Sequence, residues 1–255
     1  MDALTDAQWA AYEKEGYLSL GKVADDAQLN ALRDRIDKIM LGTADVDYDR
    51  MLMQLDTESG RYESLGPQTD GHKGATLNYR KIEGLELDPL FRAWIQKPIF
   101  ADACRRSYGR DVSFSVFRAM FVNKPAGHGT FLPWHQDRWT WLSKDPLLTV
   151  YLALDASDRS NGCVQVIPRS HGALINPSQA AGFLTEDQTA RECRPEDAVY
   201  LELEAGEVLL LHNWLLHSSD RNHSDRSRRA FSVCYMEADT YAGSPDETFP
   251  VVLPA

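Results

Sequence analysis

The chain has 255 residues, with 27 lysine and arginine against 38 aspartate and glutamate, a formal net charge of −11 and 43% hydrophobic content. That is the profile of a water-soluble globular chain. It excludes the broad basic surface that nonspecific nucleic-acid binding needs, while leaving room for a small anionic ligand in a locally basic pocket.

In chain order, Thr5-Asp6-Ala7-Gln8 reads as a capping box opening a short helix that ends near Gly16. Asp25 or Asp26 caps a second helix, whose Leu29, Leu32, Ile36 and Met40 share one face. Residues 1–41 are therefore expected to be flanking helices packed outside the main body. Residues 42–76 are polar and turn-rich, with Gly60, Gly66, Pro67, Gly71 and Gly74, and read as a candidate lid or insert loop. Residues 172–197 form a second stretch of this kind. From Val112 onward strand signals dominate. Val112, Phe114, Val116, Arg118, Met120 and Val122 alternate with Ser113, Ser115, Phe117, Ala119 and Phe121. Leu147–Leu154, Cys163–Ile167, Val199–Leu203, Val208–His212 and Ala230–Met236 follow, with turn residues between them. Many short strands with few helices between them suggest an antiparallel barrel or jelly roll. No repeat or linker divides the chain, so residues 1–255 are expected to form one domain. No apolar run approaches the roughly 20 residues of a membrane span. The start of the chain lacks the pattern of a secretory signal. The four scattered cysteines, with no C-x-x-C pair, suit a reducing compartment, and the expected location is cytoplasmic.

Three segments carry the chemistry. In Trp134-His135-Gln136-Asp137, residues two apart on an extended strand share a face, so His135 and Asp137 can reach one metal ion. The competing reading is a surface histidine beside an unrelated aspartate. The apolar segment Leu209–Leu216 ends in His217-Ser218-Ser219, where His217 faces a polar site or is a hydrogen-bonded core histidine, and His212 competes with it. The basic run Asn222–Arg229 is either a solvated turn or aims Arg228 inward, since Arg228 leads the face of Ala230 and Ser232. An inward arginine needs an anion, and its planar fork suits a carboxylate. Two imidazoles and one carboxylate compose the facial triad of non-haem Fe(II) oxygenases, which leaves positions open for a bidentate 2-oxo acid and dioxygen.

With these segments in hand, the sequence resembles the phytanoyl-CoA dioxygenase family of Fe(II)/2-oxoglutarate-dependent oxygenases. The likeness begins at Leu4–Gln8 and Tyr12–Leu18, and continues through Trp134–Asp137 and Asn161–Gly172, where Arg169 replaces the family's usual glycine. It closes with Gly206-Glu207-Val208, His217-Ser218-Ser219, Asn222 and Arg228, eleven residues after His217. The resemblance implies a mainly β fold with flanking helices, a cupin-like double-stranded β-helix or jelly roll. It implies His135, Asp137 and His217 as iron ligands, and Arg228 as the arginine that holds 2-oxoglutarate. Thr149 matches a hydroxyl assisting that arginine, Trp141 an aromatic lining the pocket, and Arg118 a polar residue near the cosubstrate; a structural salt bridge is the other reading of Arg118. Trp134, Arg138 and Trp139 are expected beside a small-molecule substrate, with Trp134, Trp139, Trp141 and Trp214 reading either as stacking faces for sugar rings or as core. Asp137 argues for oxygenation over halogenation. The expected cofactors are Fe(II), 2-oxoglutarate and O2. The likeness extends to natural-product tailoring enzymes, including those that close orthoester rings on oligosaccharide antibiotics. The alternatives are an acyl-CoA 2-hydroxylase of the same family, a metal-dependent cupin-like isomerase, or a binding protein.

Overall fold

A computed structural model describes residues 2–255. Helix α1 (Asp6–Glu15) has the full capping box, with Thr5 accepting from the Gln8 amide, and Gly16 ends it in a left-handed conformation. Strand β1 (Tyr17–Lys22) follows, then α2 (Asp26–Met40), where Asp25 is the residue that accepts the Gln28 amide. The buried face of α2 is Leu29, Leu32, Ile36, Ile39 and Met40.

Residues 42–76, expected as a candidate lid or insert loop, carry two short strands. These are β2 (Leu52–Leu55) and β3 (Thr69–Asp70), which extend the edge of the large sheet. The glycines and charges around them hide a short Leu-Met-Gln-Leu run whose Met53 and Gln54 are buried. Strand β4 (Tyr79–Glu83) joins this edge to the sheet interior. Two helices then appear that alternation does not announce, α3 (Pro89–Ile95) and α4 (Pro98–Tyr108). Each has proline in its first turn, and the Asp88 carboxylate caps the first.

The remaining strands are β5 (Phe114–Lys124), β6 (Leu132–His135), β7 (Leu148–Ala153), β8 (Val164–Val166), β9 (Val199–Leu201), β10 (Glu207–His212), β11 (His217–Ser219), β12 (Arg228–Glu237) and β13 (Val251–Leu253), with α5 (Glu186–Glu192) before β9. They make two antiparallel sheets. The larger has the order β1-β10-β7-β12-β5-β4-β2-β3, with β13 also on β5; the smaller is β6-β11-β8-β9. This is the double-stranded β-helix. The central strands β7, β10 and β12 of the large sheet are buried on both faces. Leu148, Val150 and Leu152 of β7 join the helix-side core with Ile36, Phe91 and Phe100, while Tyr151 and Ala153 turn toward the small sheet with Val164 and Val166. Burying each such side chain contributes roughly 1.5–3 kcal/mol, and this core fixes the sheets' relative placement.

One register feature corrects the expected faces of β5. Cys234 pairs with Arg118 and Tyr235 with Val116, so Phe117 is an extra residue in a β-bulge. Val116 therefore joins Ala119 and Phe121 in the helix-side core. Arg118 does not share its face. Phe117 turns instead to a small cluster with Trp139, Leu142 and Cys234.

Candidate metal and cosubstrate site

The small sheet brings the two histidines together. His135 ends β6, His217 opens β11, and the two are direct antiparallel partners, with ring centroids 4.1 Å apart. Asp137 lies two residues beyond β6, and its backbone N–H donates to the Asn213 carbonyl at 2.6 Å. Its carboxylate oxygens lie 3.7 Å from His135 Nε2 and 3.8 Å from His217 Nε2. One donor atom from each residue falls within 4.8 Å of the others, a set suited to one metal ion.

The tautomers are set by the backbone. His135 Nδ1 faces the Pro133 carbonyl at 2.8 Å and His217 Nδ1 faces the Leu215 carbonyl at 2.9 Å. A carbonyl only accepts, so each Nδ1 carries the proton and each Nε2 turns its lone pair to the shared centre. Burial, with His217 as a further cause, pushes the His135 pKa down to about 3, which keeps that imidazole neutral. Two imidazoles and a carboxylate with open space beside them fit Fe(II), and such a donor set is the facial triad. His212 is not part of the cluster; its Nδ1 accepts the Trp214 amide and its ring lies 4.9 Å from His171.

Beside these three residues lies a cavity of about 140 Å³, lined also by Thr149, Tyr151 and Arg228. Arg228 is only 4% exposed. One guanidinium N–H donates to the Tyr151 hydroxyl, Nε has no partner, and among the described residues no carboxylate lies within ion-pair reach of it. Its neighbours behave differently. Arg226 pairs with Asp158 at 2.8 Å and Arg229 with Asp37 and Asp155, each at 2.7 Å. A buried guanidinium without a counter-anion is costly, so an incoming carboxylate is a fitting partner. Thr149 lines the cavity, but its hydroxyl donates to Asn213 Oδ1 at 2.7 Å. The Asn213 side-chain amide in turn donates to the Pro146 carbonyl and to Cys234 Sγ, so it ties β7 to β12 while the residue's own carbonyl holds the Asp137 backbone.

Other sequence candidates lie outside the cavity lining. Arg118 sits over the rings of Phe117 and Trp139 and 3.5 Å from Glu83, the structural ion pair. Trp141 is 46% exposed and packs edge-on against Phe117. Trp139 is buried in that same cluster. Arg138 spans Asp145 and the Pro177 carbonyl. The Trp134 carbonyl accepts the Leu184 amide. Sequence reasoning left Tyr151 without a role although it shares a face with Thr149. It also missed Arg80 and Lys124, two further basic side chains lining the cavity.

Comparison with known proteins settles the family. The model of the family described as "Phytanoyl-CoA dioxygenase (PhyH)" matches residues 12–230. The chain belongs to the phytanoyl-CoA dioxygenase family. Its members are Fe(II)- and 2-oxoglutarate-dependent dioxygenases, and the triad and buried arginine fit those two cofactors. The phytanoyl-CoA dioxygenase of Arabidopsis thaliana is 27% identical over 93% of this chain and 90% of its own. Phytanoyl-CoA dioxygenase domain-containing protein 1 of Danio rerio is 26% identical over 96% of this chain and 94% of its own. EctD from S. alaskensis, solved with 2-oxoglutarate and 5-hydroxyectoine, superposes with a TM-score of 0.75 at 20% identity, covering 96% of this chain and 80% of that one. The carbocyclase SnoK from nogalamycin biosynthesis gives 0.68 at 19% identity, covering 94% and 86%. These two likenesses establish a shared fold.

Proposed function

We propose that residues 1–255 act as one oxygenase domain that oxidises an unactivated C–H bond of a small molecule. His135, Asp137 and His217 hold Fe(II), and Arg228 holds the far carboxylate of 2-oxoglutarate. One observation carries this reading: the cross-strand pairing of His217 with His135 places both Nε2 atoms beside Asp137, a short reach from a buried arginine that lacks an anion. When bound, iron and 2-oxoglutarate supply the O2-dependent oxidising chemistry. The chain supplies orientation. The Pro133 and Leu215 carbonyls fix the imidazoles, Asn213 fixes the Asp137 backbone, and Tyr151 aims the Arg228 guanidinium. Thr149 contributes a lone pair to the cavity, its proton being held by Asn213.

For the prime substrate, we favour a secondary metabolite or sugar-containing molecule, undergoing hydroxylation or oxidative ring closure such as orthoester formation. The fold shared with a carbocyclase from nogalamycin biosynthesis supports it. The name borne by the curated relatives favours a second reading, 2-hydroxylation of an acyl-CoA. Four buried free cysteines support a reducing, cytoplasmic setting, and among the described residues no helix is long and apolar enough to cross a membrane. The test is substrate-dependent succinate release across glycosides, acyl-CoAs and amino-acid derivatives. One class should stimulate it in the intact protein, and His135→Ala and Asp137→Ala should abolish it. Succinate release that persists in both variants would overturn the proposal.

A further inference from the structure

Gln136 stands between two of the proposed ligands, and its side chain faces away from both tasks. It is 1% exposed. Its Nε2 donates to the Ala173 carbonyl at 2.9 Å and to the Trp214 carbonyl at 2.6 Å, and its Oε1 accepts the Ile175 amide at 2.7 Å. Its own amide donates to the Gly182 carbonyl at 3.1 Å, and the Leu184 amide donates to the Trp134 carbonyl at 3.2 Å. Between them, Phe183 pairs with His135 in an antiparallel bridge. Residues 182–184 are therefore laid along β6 as an added edge, and the Gln136 side chain holds Ala173 and Ile175, within the stretch 172–197 that the sequence marks as a candidate lid or insert loop. A further bond from Asn176 Nδ2 to the Phe183 carbonyl closes the segment on itself.

This arrangement delivers the Phe183 ring to 5.1 Å from the His135 ring, inclined at 31°. Tyr62 flanks Phe183 at 5.1 Å, and the Arg80 guanidinium covers Tyr62. An imidazole held only through Nδ1 can still swing about that bond, because its ring torsion has a broad minimum. A flat ring packed against it removes that freedom.

We propose that Gln136 and Phe183 are a positioning pair for the metal site. Gln136 ties the 173–184 segment to the strand bearing the ligands, and Phe183, held there, fixes the plane of the His135 imidazole. The inference rests on the reading of His135 as an iron ligand.

The test is titration of the metal-free protein with Co(II), a spectroscopic stand-in for Fe(II), read by calorimetry and by the visible absorption of the bound ion. Phe183→Ala should weaken Co(II) binding about tenfold and alter the visible band, while Phe183→Tyr should stay within about twofold of the intact protein, the scale on which outer contacts tune metal sites. Gln136→Ala should match the loss in Phe183→Ala, speed hydrogen exchange across 173–184, and add nothing in the double variant, because the two act through one contact. Unchanged affinity and spectrum in Phe183→Ala and Gln136→Ala, or losses that add, would overturn the inference while leaving the triad intact. Should Phe183→Ala not fold, Phe183→Leu keeps apolar volume without the flat ring, and binding like that of the intact protein would overturn the pair equally. Co(II) binding unaltered by His135→Ala would instead overturn the ligand assignment itself, and this inference with it.

Discussion

Arg169, which stands where the family carries glycine, has φ 66, the only left-handed non-glycine residue among those described. Its backbone N–H donates to the Glu15 carbonyl at 3.0 Å, which holds it there, and its exposed side chain reaches Glu15 at 3.3 Å. A left-handed L-residue costs about 1–2 kcal/mol, and a surface ion pair returns less than about 1 kcal/mol. Arg169→Gly is therefore expected to stabilise the protein by about 0.5–1 kcal/mol, after the extra entropy glycine gives the unfolded chain; a lower urea midpoint would contradict this. His212 supplies a pH dependence. Burial, then His171, pushes its pKa down to about 4, below the value of about 6.5 in an unfolded chain. The unfolded state then binds the extra proton between those values, so stability present above about pH 6.5 is lost as pH falls toward 4. His212→Gln should flatten part of that loss in urea midpoints measured from pH 7 to 4. At this scale His135 and Asp137 were legible as a same-face strand pair, whereas the choice of His217 over His212 and of Arg228 over Arg226 and Arg229 came from the family resemblance. Tyr151 was not legible, because its partnership with Arg228 joins residues 77 positions apart.

Among the elements, the strands were legible where a short, mostly apolar run is bounded by turn residues, as in β7 and β10. The bulge in β5 was not: inserting Phe117 leaves composition and alternation intact to the eye, yet it separates Arg118 from Val116 and moves the arginine to Glu83. Helices α3 and α4 left a readable trace in Asp88-Pro89 and in the spacing of Phe91, Trp94 and Ile95, which strand patterning downstream overshadowed. The segment 173–184 depends on one backbone feature. Gly182 has φ 72, and a Cβ there would collide with the Gln136 carbonyl oxygen. Gly182→Ala is expected to cost at least about 1–2 kcal/mol in conformation alone, before the collision is relieved. It should free the segment to proteolysis while the rest of the fold persists. Uniform protection of 173–184 in that variant would show that the glycine is dispensable.

Across the whole molecule, an acidic chain surrounds a basic interior. With a formal net charge of −11, it lines its cavity with Arg80, Lys124 and Arg228, and Asp137 is the sole carboxylate of that lining. Burial, then the charges of Arg228 and Arg80, hold the Lys124 pKa well below its ordinary value. A dicarboxylate relieves that mutual repulsion, whereas bulk charge alone would repel it. The sequence left room for a local anion site within an acidic chain, but only chain folding gathers Arg80, Lys124 and Arg228 from three strands. The measurement that bears most directly on the metal and cosubstrate assignment is anaerobic calorimetry of the metal-free protein, with Fe(II) added first and 2-oxoglutarate second. Expected are one Fe(II) and one 2-oxoglutarate per chain, the first lost in His135→Ala and the second weakened by at least about tenfold in Arg228→Ala, as befits loss of a buried charge-assisted bond. Metal-independent binding of 2-oxoglutarate, or binding indifferent to both substitutions, would contradict it.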